Sequence, residues 1–205
     1  MNIIECRVIR PKDRNSVVLA TAEILFDNGI RLINMHLLRP REGQTSNQLK
    51  MPSITTNRGT IISAFNPSNQ ETRAAMHEAV EETLAEAVEA QVNDYTKTYA
   101  ELQEPGMPRF SNLRLHKFPD NNIPVKAMVS VTIDNCIRLN RIAVIKNPET
   151  SMYVVQLPKF SLQNGRRTMR YFRFPSAAYE GLYKLVMEEY MKPTAEDTAG
   201  KQESA

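Results

Sequence analysis

Apolar and polar residues alternate along three stretches near the start of the chain, at residues 3–10, 17–26 and 30–38. A period of two is the pattern of a half-buried β-strand. The Asp-Asn-Gly sequence at residues 27–29 separates the second stretch from the third, and Asn and Gly tolerate the positive φ of short hairpin turns. The pattern therefore predicts an antiparallel sheet at the start of the fold.

A helical period replaces this alternation after Pro67. Ser68 and Glu71 have the spacing of a capping box, which predicts the start of a helix. Apolar residues then recur every three or four positions, at Met76, Val80, Leu84, Val88, Val92, Tyr95, Tyr99 and Leu102. No Pro or Gly interrupts this stripe before Pro105. We therefore expect one helix of roughly 30 residues, whose first part packs on the sheet and whose remainder links it to the rest of the chain.

The sequence then repeats itself. The run Asp-Asn-Gly-Ile-Arg-Leu at residues 27–32 recurs as Asp-Asn-Cys-Ile-Arg-Leu at residues 134–139, an offset of 107 positions. The surrounding pattern recurs too, with strands predicted at residues 110–118, 125–133, 137–145 and 152–157 and a helix at 176–191. This period is longer than that of solenoid repeats, so it indicates two copies of a whole domain.

The expected architecture is α+β, with two tandem domains. We assign residues 1–104 to the first repeat with its extended helix, residues 109–192 to the second repeat, and residues 193–205 to a disordered acidic tail.

Charge is distributed unevenly over these segments. Residues 1–69 hold 9 basic and 5 acidic residues, residues 70–108 hold 2 and 9, residues 109–192 hold 14 and 6, and the tail holds 1 and 3. The net charge of +3 therefore conceals two basic modules separated by an acidic segment. The second module is the more basic, which favours a polyanionic partner for it.

Composition argues against several other classes. No apolar stretch is long enough to span a membrane, and the first residues lack the pattern of a signal peptide, so we expect a cytoplasmic protein. The two Cys and three His are isolated from one another, so neither a disulfide nor a metal site is indicated. No nucleotide-binding or hydrolase motif occurs. We expect no cofactor and no catalytic activity.

An ordered set of landmarks gives the chain a family resemblance. The first repeat has Met51-Pro52-Ser53, then Gly59, Pro67, Thr72-Arg73 and Glu78-Ala79-Val80-Glu81-Glu82. The second has Arg138, Pro158, Gly165, Pro175 and Glu188-Glu189-Tyr190. In this order the landmarks resemble the family of the stage V sporulation protein G, SpoVG, of bacteria.

The resemblance implies a small antiparallel sheet with a C-terminal helix in each repeat. It also implies a regulator that binds DNA or RNA and is linked to septation and sporulation. Because members of the family are dimers, a tandem copy implies a covalent pseudo-dimer in which the sheets of the two repeats pair. A further homodimer is also possible for such a chain.

The candidate binding residues come mainly from the second repeat. Where the family has Lys-Arg after its Met-Pro-Ser, this chain has Ile54 and Thr55, so the first repeat keeps only Arg58 and Arg73 as candidates. The corresponding segment of the second repeat is strongly basic. Its candidates are Lys159, Arg166, Arg167, Arg170 and Arg173, with Tyr171 as an aromatic that could stack on a base.

Alternatives remain open for several of these features. The arginine-rich segment is equally well a solvated hairpin whose Tyr171, Phe172 and Phe174 enter the core. Arg31 and Arg138 occupy matching positions after the two turns, where they could bind a ligand or pair with Asp27 and Asp134. For the whole chain, the alternative to a nucleic-acid-binding regulator is a scaffold that kept the fold and binds proteins. An enzyme of unknown type is a weaker third reading.

Overall fold

The computed structural model describes residues 1–56, 59–119, 123–162 and 167–193. Within them the fold is α+β, with antiparallel strands in several sheets and two helices, as expected. The strands of the first half are β1 (Ile3–Ile9), β2 (Val18–Phe26), β3 (Arg31–Leu38), β4 (Gln48–Lys50), β5 (Ser53–Thr55), β6 (Ile61–Ser63), β7 (Phe65–Pro67) and β8 (Asp94–Thr98), with helix α1 (Gln70–Glu89) between β7 and β8. Those of the second half are β9 (Phe110–Lys117), β10 (Val125–Ile133), β11 (Ile137–Lys146), β12 (Tyr153–Gln156), β13 (Lys159–Ser161), β14 (Thr168–Arg170) and β15 (Phe172–Arg173), followed by helix α2 (Ser176–Met191).

Two larger sheets are built on the same plan. Sheet one has the order β15-β3-β2-β1-β8, and β4 also pairs with β3. Sheet two has the order β12-β11-β10-β9, and β7 also pairs with β11. Two small hairpins, β5–β6 and β13–β14, stand beside them.

Strand registers in the two sheets correspond at the offset seen in the sequence. Leu25 pairs with Arg31 in sheet one, and Thr132 pairs with Arg138 in sheet two. Each central hairpin also has a register shift, and the third strand of each has a residue with positive φ, Asn34 at 70° and Arg141 at 62°.

Each sheet takes a strand from the other half of the chain. In sheet two, Phe65 of β7 pairs with Leu139. In sheet one, Phe172 of β15 pairs with Leu32. The two pairings are equivalent at an offset of 107, and both Phe rings are fully buried. Burial of such rings is a main source of stability, so each half contributes to the core of the other.

The turns between the paired strands meet at this junction. Asn28 donates from Nδ2 to Asp134 Oδ2 at 2.8 Å. Gly29 has φ 75°, and a Cβ there would lie 2.6 Å from Cγ of Pro175. The glycine is therefore required both by the turn and by the close approach of the start of α2.

The expected long helix is wrong. Helix α1 ends at Glu89, Gln91 has φ 58°, and the chain returns as strand β8 beside β1. Residues 92–98 are rich in Val, Thr and Tyr, which favour strands. The edge of β1 has backbone N–H and C=O groups that a strand can pair with and a helix cannot. Residues 94–98 therefore pair with β1, and no long helix links the repeats.

The predicted acidic tail from Thr194 onward lies outside the described residues. Neither helix combines the length and the apolar character that crossing a bilayer requires, within the part of the chain that is described.

Candidate nucleic-acid interface

The basic segment of the second repeat forms an exposed hairpin, as its sequence indicated. Lys159 of β13 and Arg170 of β14 are directly opposed, and both side chains are exposed. Arg167 is also exposed, immediately before β14, whereas Arg166 lies outside the described residues. Like charges opposed across two strands repel each other, so a bound anion would relieve a cost that the hairpin otherwise bears.

Tyr171 is not available for stacking on a base. Its side chain is 6% exposed and packs against Phe160, with ring centroids 4.8 Å apart. Burial also raises the pKa of its hydroxyl. The structure therefore corrects the prediction for Tyr171 and supports the alternative in which the aromatics enter the core, with Phe172 fully buried and Phe174 partly buried beside it.

The remaining candidates are placed apart. Arg173 is exposed on β15 and pairs across the strands with Arg31 of sheet one. Arg73 is exposed on α1, where it lines a groove with Asn47 and His77. Arg58 lies outside the described residues. None of the hairpin cations described above lines the groove of Arg73.

On the face of sheet one that is turned away from its buried core, Arg7 and Arg31 are each paired with carboxylates. Arg7 donates to Asp94 through Nε at 2.8 Å and Nη2 at 2.5 Å. Arg31 donates to Glu5 at 2.7 Å, and its Nη1 also lies 3.8 Å from Glu23. The hydrogen bonds from Arg7 hold the pKa of the Asp94 carboxyl below its usual value. We call this surface the open face of sheet one.

The open face of sheet two keeps the arginines and lacks the acids. At the same offset of 107, Arg7 becomes Arg114 and Arg31 becomes Arg138. Glu5 and Glu23, however, become Asn112 and Ser130. Arg138 donates from Nη2 to Ser130 Oγ at 2.6 Å instead of meeting a carboxylate.

The strands of sheet two confirm this imbalance of charge. Strands β9 to β12, at residues 110–117, 125–133, 137–146 and 153–156, contain no Asp or Glu. In these same strands Arg114 is opposite Ser130, and Thr132 is opposite Arg138. Arg114 on β9 and Arg138 on β11 therefore lie on the same open face of sheet two, on either side of β10. Neither has an ion-pair partner among the described residues.

A groove extends this face toward the exposed hairpin. It has a volume of about 330 Å³, and its lining includes Met128, Arg141 and Lys159. Arg114 and Arg138 lie on sheet two, Arg141 follows Arg138 on β11 and lines the groove with Lys159, and Lys159 is opposite Arg170 in the hairpin. We call these five residues the basic face.

Asp27 and Asp134, the two acids with which Arg31 and Arg138 could have paired, accept hydrogen bonds from other residues. Asp27 accepts a hydrogen bond from Asn2, and Asp134 accepts from Asn28 and from the backbone N–H of Arg109. Among the described residues, an ion pair at these two positions therefore exists for Arg31 alone, with Glu5 and Glu23 in place of Asp27. Alignment of the two repeats at their offset was the signal that could have found the difference between Arg31 and Arg138.

No cluster of three His, Cys, Asp or Glu side chains suited to a metal ion occurs in residues 1–56, 59–119, 123–162 and 167–193. Comparisons with protein-family models, with curated proteins and with solved structures find no match to this chain.

Proposed function

We propose that this chain is a cytoplasmic, non-catalytic protein that binds DNA or RNA through the basic face. The observation that supports this most strongly concerns two equivalent pairs of arginines. Sheet two has Arg114 and Arg138 where sheet one has Arg7 and Arg31, but it lacks the acids that neutralise the pair in sheet one. Arg pairs well with phosphate. A surface that carries cations and no carboxylates also attracts a polyanion at distances beyond direct contact.

We also propose that the chain is a tandem SpoVG-like pseudo-dimer, with the repeats related as two subunits. The reciprocal pairings of β7 with β11 and of β15 with β3 support this, because an isologous interface makes each contact twice. By its resemblance to that family, the protein would act in gene regulation of the septation and sporulation type.

The test is fluorescence anisotropy with labelled single-stranded DNA, duplex DNA and single-stranded RNA, each titrated with salt. If the five cations of the basic face contact phosphates, the log–log slope of affinity against salt is about −4.5 for a duplex and about −3.5 for single strands. The ranking of the three probes identifies the nucleic acid.

Absence of binding to all three probes at low salt, where charge is least screened, would contradict the proposal. A scaffold that binds proteins would then be the better account. The acidic surface of α1 favours that second candidate, because Glu78, Glu82 and Glu89 are exposed on it.

A further inference from the structure

A polar pocket opens where the two halves of the chain meet. It has a volume of about 410 Å³, and Arg138 lines it together with Asn66, Pro67, Ser68, Asn112, Thr132 and Asn135. Asn66, Pro67 and Ser68 come from the first repeat, and the other four come from the second. The volume lies in the range of small-molecule pockets.

Arg138 gives this pocket a positive charge that nothing in its lining neutralises. Only one of its guanidinium nitrogens, Nη2, has an acceptor among the described residues, namely Ser130 Oγ. Nearby Asp134 is not part of the lining, and its two oxygens accept hydrogen bonds from Asn28 and from the backbone N–H of Arg109. The remaining guanidinium donors can therefore reach a ligand.

Thr132 adds a buried polar group to the same pocket. The residue is 4% exposed and lines the pocket, and its hydroxyl has no hydrogen-bond partner among the described residues. Because no described side-chain oxygen is both fully enclosed and unpaired, the hydroxyl oxygen of Thr132 keeps a small solvent-accessible area. A buried hydroxyl without a protein partner is suited to a ligand.

The equivalent place in the first repeat differs in charge. There Arg31 is held by Glu5, and Arg173 occupies the position that Asn66 has in the pocket. The pocket therefore combines one free cation with neutral amide and hydroxyl groups, whereas its counterpart combines two cations with carboxylates.

We infer that this pocket binds a phosphate monoester. The guanidinium of Arg138 pairs with two phosphate oxygens, while Thr132, Ser68 and the amides of Asn66, Asn112 and Asn135 supply further donors. The phosphate comes either from a free nucleotide or from the phosphorylated end of a strand. Only the second source rests on the function proposed above.

Isothermal titration calorimetry of the full chain with inorganic phosphate and with adenosine 5′-monophosphate tests the inference. We expect saturable binding of both, and a loss of affinity of about tenfold or more in Arg138→Gln, because a charged hydrogen-bonding partner is removed. Ser68→Ala, at an exposed site, should lower affinity by a few-fold without perturbing the fold. Arg31→Gln is the matched control and should bind as the wild type does.

Two oligonucleotides of one sequence, with and without a 5′-phosphate, distinguish the sources. Tighter binding of the phosphorylated strand, lost in Arg138→Gln, supports the strand end. Equal binding of the two strands, with the monophosphate still bound, supports the free nucleotide.

If neither strand binds but the monophosphate does, the proposed function fails and the pocket stands. The inference is overturned if neither phosphate nor the monophosphate binds. It is also overturned if both Arg138→Gln and Ser68→Ala bind as the wild type does.

Discussion

At the scale of residues, two substitutions between the repeats set the charge of the open faces. Glu5 and Glu23 neutralise Arg31 in sheet one, and Asn112 and Ser130 replace them in sheet two. The arginines themselves are retained. Ser130 lies opposite Arg114 as Glu23 lies opposite Arg7, so there the difference in charge comes from the side chain, whereas Asn112 also differs from Glu5 in its backbone, with φ 49°.

Restoring an acid at residue 130 should weaken nucleic-acid binding. In Ser130→Glu the new carboxylate lies beside Arg138 as Glu23 lies beside Arg31, so the salt slope should fall in magnitude by about 1. Thr150→Glu, in an exposed loop, is the control with the same net charge. The prediction fails if anisotropy gives both variants the same slope.

The two thiols should differ in reactivity. Burial raises the pKa of Cys6 to about 11, so at pH 8 its thiolate is scarce as well as enclosed. Cys136 is half-buried. A chromogenic disulfide such as 5,5′-dithiobis(2-nitrobenzoate), which releases a coloured thiolate on reaction, should therefore label one thiol in the native protein and two after unfolding. Rapid labelling of both native thiols would be inconsistent with the packing.

The pair of Arg7 and Asp94 should stabilise the fold at neutral pH and lose that effect in acid. Its effect lowers the folded-state pKa of Asp94, so the stabilisation is present above the unfolded pKa and is lost as pH falls through the folded value. Because the carboxylate is 52% exposed, the contribution is below about 1 kcal/mol. Asp94→Asn should reduce the unfolding free energy at pH 7 and converge with the wild type once the pH falls below the folded-state pKa of Asp94. A difference that grows in acid would contradict this sign.

At the scale of elements, the exchanged strands β7 and β15 join the two halves. Each supplies a fully buried Phe, Phe65 to sheet two and Phe172 to sheet one. The strands are only three and two residues long. Side-chain burial therefore contributes more to their stability than hydrogen bonding does.

Phe65→Ala and Phe172→Ala should each lower the free energy of unfolding by about 3–5 kcal/mol. Ile61→Ala, at a residue 71% exposed, should change it by less than about 0.5 kcal/mol. Urea denaturation measures all three. Loss of under about 1 kcal/mol from either Phe would show that the exchanged strands do not hold the core.

The limits of the sequence also lie at this scale. Alternation predicted the central strands and the Asp-Asn turns well, because local pattern and buried face agree there. The apolar spacing of Val92, Tyr95 and Tyr99 fitted a helix, whereas Val, Thr and Tyr as residue types favour strands, and pairing with distant β1 decided between the two. The exchange of β7 and β15 was beyond local pattern for the same reason, although a pairing between the repeats was expected.

Predicting the charge of the basic face requires both the sequence and the strand registers. The hairpin of Lys159 and Arg170 was visible as a basic run in the sequence. Arg114 and Arg138 are separated by 24 positions in the chain and come together only through the registers of β9, β10 and β11. Only the sheet shows that these two arginines have Ser130 and Thr132 beside them and no acid in these strands.

At the scale of the whole molecule, the exchange of strands should make the two halves unfold together. Without the second half, Phe65 and an edge of sheet one would be exposed. Without the first half, Phe172 and an edge of sheet two would be exposed. Heat or urea should therefore give one transition, with the same midpoint by far-ultraviolet circular dichroism and by tyrosine fluorescence. Two resolved transitions would mean that the halves are independent.

The central claim is that the unneutralised arginines of sheet two bind nucleic acid. The most direct measurement compares the salt dependence of binding for Arg114→Ala with Arg138→Ala against the matched double variant Arg7→Ala with Arg31→Ala. Both remove two positive charges, so net charge alone cannot distinguish them. We expect the first pair of substitutions to weaken binding and to lower the magnitude of the slope by about 2, and the second pair to leave the slope unchanged. Equal losses from both pairs, or no loss from the first, would contradict the claim.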